Sequence, residues 1–566
     1  MKLLDNYNNG RIPSERILKH AQHPCYAIMH FSMNTYTNKE WGFGDESPDI
    51  FNPVDFNAEN IVKACKEGGL DGIILVCKHH DGFCLWPTKT TPHNISRSPW
   101  RNGKGDIVGE MAAACRAEGL KVGFYVSPWD RNSPAYGTPD YPEIFREQLR
   151  EICSNYGEAF EIWFDGANGG DGFYGGARET RKIDAYVYYD WLQTWNLVRS
   201  LQPNAVIFSD VGPDVRWVGN EDGFADPDAY ASYSPHSSVA GTEPAPGRTI
   251  GVEGTAGHAD GNYFIPFECD FPLRPGWFYH PEQEGQQRSG ARLLKNYLLS
   301  VGCGGFMNVG IAPDPSGKMT ANDIKSLRDF KALRDQLFSN PLKKKQLIIQ
   351  NRSAVLEFGK PLSVNFLELQ EDLTHGETVC GYTVEGYVSG KWQKLFGGNA
   401  IGLKRLKNFP RVMADALRIT VTNTTGDHMP EWINVTVYDA PENLFDVTEM
   451  ENLLQRKDYR KLENVEINGL QAECFFTEKM TLKGAIFSPV HPVSAGTPLH
   501  YDLAICSSDG EWHIVLQGEF SNIQANPIPQ LLTFDPIEGT AIRLTARKCA
   551  DPAAETLDMQ ELGILI

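Results

Sequence analysis

The stretch F-E-I-W-F-D-G at residues 160–166 ends an apolar run on a carboxylate, Asp165, with Gly166 directly after it. A second carboxylate, Glu221, closes R-W-V-G-N-E. Imidazoles and rings recur in similar settings. His30 follows C-Y-A-I-M, with Glu40 and Trp41 shortly after; His79 and His80 stand in K-H-H-D-G-F, Tyr125 in G-F-Y-V, Trp163 beside Asp165, and Trp277 in P-G-W-F-Y. Two carboxylates among histidines and aromatic rings suit glycosidic bond cleavage. One attacks or stabilises an oxocarbenium-like carbon and the other protonates the leaving oxygen. Imidazoles and short acids hold hydroxyls, and a flat ring matches the C–H face of a sugar.

Each residue alone has a plainer reading. Asp after a strand commonly caps a helix. Glu221 reads as a solvated loop acid, and His79–His80 as one buried ring and one exposed ring. A zinc set of His79, His80, Asp81 and Cys84 is disfavoured: adjacent residues of an extended segment point apart, and no i, i+4 pair or C-x-x-C is present.

The elements that must position these residues follow a repeating pattern. Strand-like runs at 25–31, 72–77, 121–126, 160–164, 205–208 and 304–309 alternate with helical patterns at 58–68, 107–118, 141–156, 185–201, 291–301 and from about 321. Strands apolar on both faces, alternating with helices, predict a parallel sheet covered by helices. The expected fold is α/β, a (β/α)8-type barrel over 1–340, with a doubly wound open sheet as the alternative. In such a barrel every residue named above stands at a strand's C-terminal end, where catalytic groups collect. The Gly-, Pro- and acid-rich stretch 225–285 reads as long loops over that face. From 341 the texture becomes alternating strands without strong helices. Antiparallel β-sandwich domains are expected at 341–443 and 444–566, similar enough in spacing to suggest a diverged duplication.

A net charge of −19 argues against nucleic acid or an anionic membrane surface as partner. No apolar run is long enough to span a bilayer. No leader pattern stands at the start, so a cytoplasmic location is expected, or a periplasmic or secreted one if a leader has been removed. The 12 cysteines are scattered singly, as buried free thiols would be.

Seven ordered motifs, HFSMNTYTNKEW, KHHDGF, GFYVSPWD, IWFDGA, RWVGNE, PGWFY and FMNVGIAPDPSG, resemble the α-L-fucosidases of glycoside hydrolase family 29 across residues 20–340. RWVGNE most resembles the subgroup selective for α-1,3/1,4-linked fucose. The resemblance implies a retaining exo-α-L-fucosidase, with Asp165 as nucleophile and Glu221 as acid/base. His30, Glu40, Trp41, His79, His80, Tyr125 and Trp163 carry over as the fucose-binding set, and Trp277 as a wall against the fucose methyl. Arg216 is expected to orient the site or support its charge. No metal or cofactor is implied, and the partner is a fucosylated oligosaccharide. A broad-specificity fucosidase accepting α-1,2 or aryl fucosides is the alternative, with an inactive glycan-binding protein behind it. The β-sandwiches resemble galactose-binding, discoidin-like modules.

Overall fold

The computed structural model describes residues 3–8, 10–445, 453–491, 493–520, 523, 524 and 527–566. Its first part is a closed barrel of eight strands: β1 Cys25–Met29, β2 Gly72–Lys78, β3 Lys121–Val126, β4 Glu161–Trp163, β5 Val206–Ser209, β6 Val215–Trp217, β7 Phe267–Pro272 and β8 Phe306–Ile311. All neighbours pair in parallel, and β1 on β8 closes the ring through Cys25↔Met307 to Met29↔Ile311. The closed barrel expected from the alternating pattern is therefore the one found, and the open sheet is not.

The strands alternate faces residue by residue. Tyr26, Ile28, Ile74, Val76, Tyr125, Trp163, Val206 and Phe208 fill the interior cluster. Ala27, Met29, Ile73, Leu75, Phe124, Ile162 and Phe164 join the outer cluster with the helices. Six longer helices lie around the barrel: α1 Ala58–Glu67, α2 Ile107–Glu118, α3 Tyr141–Asn155, α4 Trp191–Leu201, α5 Gly290–Leu299 and α6 Ala321–Phe338. Local capping chemistry sets their starts. Side chains of Asn57, Asp106, Asp190, Ser289 and Thr320 accept amides of the first turns.

Three expectations need correction. First, α4 begins at Trp191, not 185, because Asp190 caps it and 185–189 form turns. Second, no helix separates β5 from β6. Residues 210–214 return the chain directly, held where Asp214 accepts the Ile207 amide at 2.9 Å and pairs with Arg199. Third, the region read as continuous loop contains β7, whose F-E-C-D-F-P pattern alternates acid and apolar residues and so lacks the all-apolar signature of the other strands.

Two antiparallel sheets follow. The first runs β9 Pro341–Ile348, β10 Ser353–Glu371, β11 Val379–Val388, β12 Lys391–Gly398, β13 Arg405–Thr424 and β14 Trp432–Tyr438, ordered β9-β14-β10-β13-β11-β12. The second has β15 Tyr459–Lys461, β16 Glu466–Asn468, β17 Gln471–Ser488, β18 Pro498–Cys506, β19 Trp512–Glu519, β20 Gln530–Cys549 and β21 Glu561–Leu565. Its order is β15-β21-β17-β20-β18-β19, with β16 on β17. Apart from β16, the two orders are the same. So are the irregularities. The β10–β13 ladder breaks between Glu357 and Leu362 and between Val364 and Phe366; the β17–β20 ladder breaks between Phe475 and Met480 and between Leu482 and Gly484. A bulge at Val384–Glu385 recurs at Leu503–Ala504. Bulges are built features of a sheet, so their shared positions support an internal duplication.

By contact density the chain forms two compact units. One is Met1–Tyr279 with Gln287–Val447, and the other is His280–Gln286 with Thr448–Ile566. All 12 cysteines are free, and 11 of them are buried. Among the described residues, no helix is long and apolar enough to cross a membrane.

Candidate active site

The strand ends of the barrel bring together the residues that the sequence pointed to. Asp165 lies just beyond β4, with a side chain 25% exposed. Its Oδ2 accepts the Tyr125 hydroxyl at 3.0 Å, and its Oδ1 accepts the Ala167 amide at 2.7 Å. The second bond is an Asx-type turn onto its own backbone. No helix starts there, which removes the capping role. Gly166 packs against the 247 loop, where a methyl group would make only ordinary contacts, with Gly247 at 3.5 Å and Asp210 at 3.7 Å.

His79 and His80 are both buried, with rings 4.1 Å apart. The expectation that neighbours point apart fails because β2 ends at Lys78 and His80 already lies in a turn. Their partners fix opposite tautomers. Ser127 gives its single hydroxyl proton to the Trp129 carbonyl at 2.8 Å, so at 2.7 Å it can only accept from His80 Nδ1. His80 therefore offers a bare Nε2, which lies 3.8 Å from Asp165 Oδ2. Asn34 accepts the Gly42 amide on its oxygen, and its amino group reaches His79 Nδ1 at 3.5 Å. That leaves His79 with a donating Nε2–H. One ring accepts and the other donates, an arrangement suited to adjacent hydroxyls. Burial holds both imidazoles in the neutral form, with His80 lowered to about 4.

The walls come from other loops. Trp41 is 38% exposed and stands edge-on to His80 and Trp129, at 5.2 and 5.7 Å. Arg131 grips the backbone carbonyl of Gly42 at 2.6 Å and so holds that loop down. Glu40 is buried, and its carboxylate accepts the Trp277 and Phe278 amides at 3.0 and 3.3 Å. The Trp277 ring lies 4.9 Å from that of His30, whose pKa burial lowers to about 3. Trp163 is more floor than wall. It stacks on Phe208 at 4.2 Å, and its indole N–H donates to the buried Glu268 at 2.9 Å.

Glu221 follows β6 in a turn built by Asn220, whose side-chain oxygen accepts the Asp222 and Gly223 amides at 3.1 and 3.2 Å. Trp277 Nε1 donates to Glu221 Oε2 at 3.0 Å. Burial, with Asp165 and Glu40 nearby, raises the Glu221 pKa to about 8 against the pull of that hydrogen bond. Glu221 is thus a partly buried acid held by an indole N–H, not a freely solvated one.

Arg216 does not support the charge of Asp165. It is fully buried and bonds the carbonyls of Tyr230, Ala231, Gly254 and Ile265, between the rings of Tyr233 and Phe267. What it holds is the loop system after β6. The sequence reading gave no role to Ser127, Asn34 or Asp210. Asp210 accepts Thr249 Oγ1 at 2.6 Å and the Gly247 amide at 2.9 Å, fastening that loop beside Gly166. Only its place at the end of a strand could have marked it.

Among the described residues, one group of three metal-capable side chains meets: His236, Glu253 and His258. The Ser234 amide donates to His258 Nδ1 at 3.2 Å, which puts the ring proton on Nε2. His236 Nδ1 lies 3.0 Å from the Glu253 carboxylate.

Residues 8–332 match the sequence family Alpha-L-fucosidase. Alpha-L-fucosidase 1 of Arabidopsis thaliana is 33% identical over 464 residues, covering 75% of this chain and 87% of that protein. The crystal structure of a glycoside hydrolase 29 family member from an unknown rumen bacterium is 36% identical. It covers 98% of this chain and 99% of its own, with a TM-score of 0.72. A Ruminococcus gnavus GH29 fucosidase solved in complex with fucose is 25% identical, covering 76% of this chain and 96% of its own, with a TM-score of 0.64. With the family match over residues 8–332, the sequence relatives and the barrel fold in agreement, the chain belongs to the α-L-fucosidase family, glycoside hydrolase family 29.

Proposed function

We propose that this α-L-fucosidase is a retaining exo-enzyme releasing terminal α-1,3/1,4-linked L-fucose from oligosaccharides or glycoconjugates by double displacement. The observation that carries the mechanism is Glu221. An acid held at about 8 keeps its proton near neutrality, as protonation of a leaving oxygen requires. Asp165, fixed by Tyr125 and Ala167, attacks the anomeric carbon and forms the glycosyl-enzyme. Glu221, then ionised, takes a proton from the water that releases fucose. A sugar hydroxyl can give its single proton to His80 Nε2, which lies 3.8 Å from Asp165 Oδ2 and so holds the sugar beside the nucleophile. His30, Glu40, Trp41, His79, Tyr125, Trp163 and Trp277 complete the fucose-binding set. The fucose complex of the R. gnavus relative supports that sugar as the ligand.

The linkage preference rests on R-W-V-G-N-E. A panel of linkage-defined fucosides tests it, and faster release from an α-1,2-linked than from a Lewis-type substrate would overturn it. Asp165→Asn and Glu221→Gln test the mechanism, since near wild-type turnover in both variants would remove the assigned pair.

A further inference from the structure

Strand β7 points two carboxyls into the barrel, Glu268 and, two residues on, Asp270. Their surroundings differ sharply. Glu268 is saturated, accepting the Tyr26 hydroxyl, Trp163 Nε1 at 2.9 Å and Asn308 Nδ2 at 2.9 Å. Asp270 is 4% exposed, yet its Oδ1 meets no hydrogen-bond donor. Its register neighbour on β8, Asn308, has a bare Oδ1, and His30 on the adjoining strand end has a bare Nδ1. Buried polar atoms without partners are rare, and each calls for a missing one.

The position of Asp270 indicates what is missing. Glu268 reaches the Trp163 ring on one side. On the other, Pro272 pairs with Gly310, against which Trp277 lies; a methyl group on Gly310 would stand 2.8 Å from that ring. Asp270 therefore sits between the Trp163 floor and the Trp277 wall, within the electrostatic reach of Glu221 and Asp165. We propose that Asp270 is a sugar-binding group whose carboxyl hydrogen-bonds a hydroxyl of the fucosyl ring bound above it. This rests on the fucosidase reading given above. Burial and the surrounding acids hold the group well above the ordinary carboxylate range, so it enters the complex as a neutral donor and acceptor.

The test compares an aryl α-L-fucoside with its 2-, 3- and 4-deoxy analogues in the wild type, Asp270→Ala and Asp270→Asn. Removing one particular hydroxyl is expected to lower wild-type kcat/KM by about tenfold through this contact. That penalty is expected to vanish in Asp270→Ala and to return in part in Asp270→Asn. Should the alanine chain not fold, the near-isosteric Asn variant is expected to weaken the penalty at the same carbon alone. Penalties unchanged from wild type at all three carbons overturn the proposal and leave the fucosidase reading standing. No wild-type turnover of the parent fucoside overturns both.

Discussion

A single hydroxyl proton decides what His80 offers to substrate. Because Ser127 donates to the Trp129 carbonyl, His80 must donate to Ser127. Ser127→Ala frees the ring to adopt either tautomer, and kcat/KM is expected to fall about tenfold while the thermal midpoint stays near wild type. A variant that melts early without this kinetic loss would show the hydroxyl to be structural. Glu221 makes a second residue-scale prediction. The acid works only while protonated, so kcat/KM declines as pH rises through about 8. Glu221→Gln removes that limb and lowers turnover of oligosaccharides by about 10²–10⁴-fold. The loss is smaller on aryl fucosides, whose leaving groups need less protonation. A profile flat through that pH would place the acid elsewhere.

At the scale of elements, short strands carry the chemistry and longer loops hold it in place. β4 and β6 have three residues each, yet Asp165 and Glu221 stand just past their ends. The Arg216 guanidinium gathers four carbonyls from the loops that follow β6. Arg216→Leu would leave these buried acceptors unmet and is expected to destabilise the chain by about 3 kcal/mol or more, read from denaturant unfolding. A loss below about 1 kcal/mol would mean that water replaces the guanidinium at little cost. The apolar strands β1 to β5 and β8 were legible because they are buried on both faces. β7 was not, since its inward residues are acids that only a polar barrel interior accommodates. β6 was missed because three residues after a tight return carry too short a pattern.

Across the whole molecule, the second sheet repeats the first, and an arginine stacked on a tryptophan stands on matching strands in both, while the paired carboxylate comes from β11 in one and from β17 in the other. Arg418 lies 4.4 Å over Trp392 and pairs with Glu385, while Arg543 lies 3.8 Å over Trp512 and pairs with Glu473. A guanidinium stacked on a ring and paired with a carboxylate caps the outer face of a sheet. Arg418→Ala and Arg543→Ala are each expected to lower the stability of their own sheet by about 1–2 kcal/mol, followed by hydrogen exchange of β13 and β20. Unequal effects would mean that the copies have diverged in function.

The sequence by itself determined the barrel and the run of antiparallel strands after it, and placed at the strand ends Asp165, Glu221, His30, Glu40, Trp41, His79, His80, Tyr125, Trp163 and Trp277, which the family resemblance singles out as the expected site. It could do so because periodicity and punctuation are local, and because a parallel barrel presents every strand end on one face. Only the tertiary structure decided the raised pKa of Glu221, the opposite tautomers of His79 and His80, the loop-holding part of Arg216, and the unpartnered Oδ1 of Asp270. Each of these depends on burial and on partners that lie tens to hundreds of residues away in the chain, as Trp277 does from Glu40. No window along the sequence contains both members of such a pair.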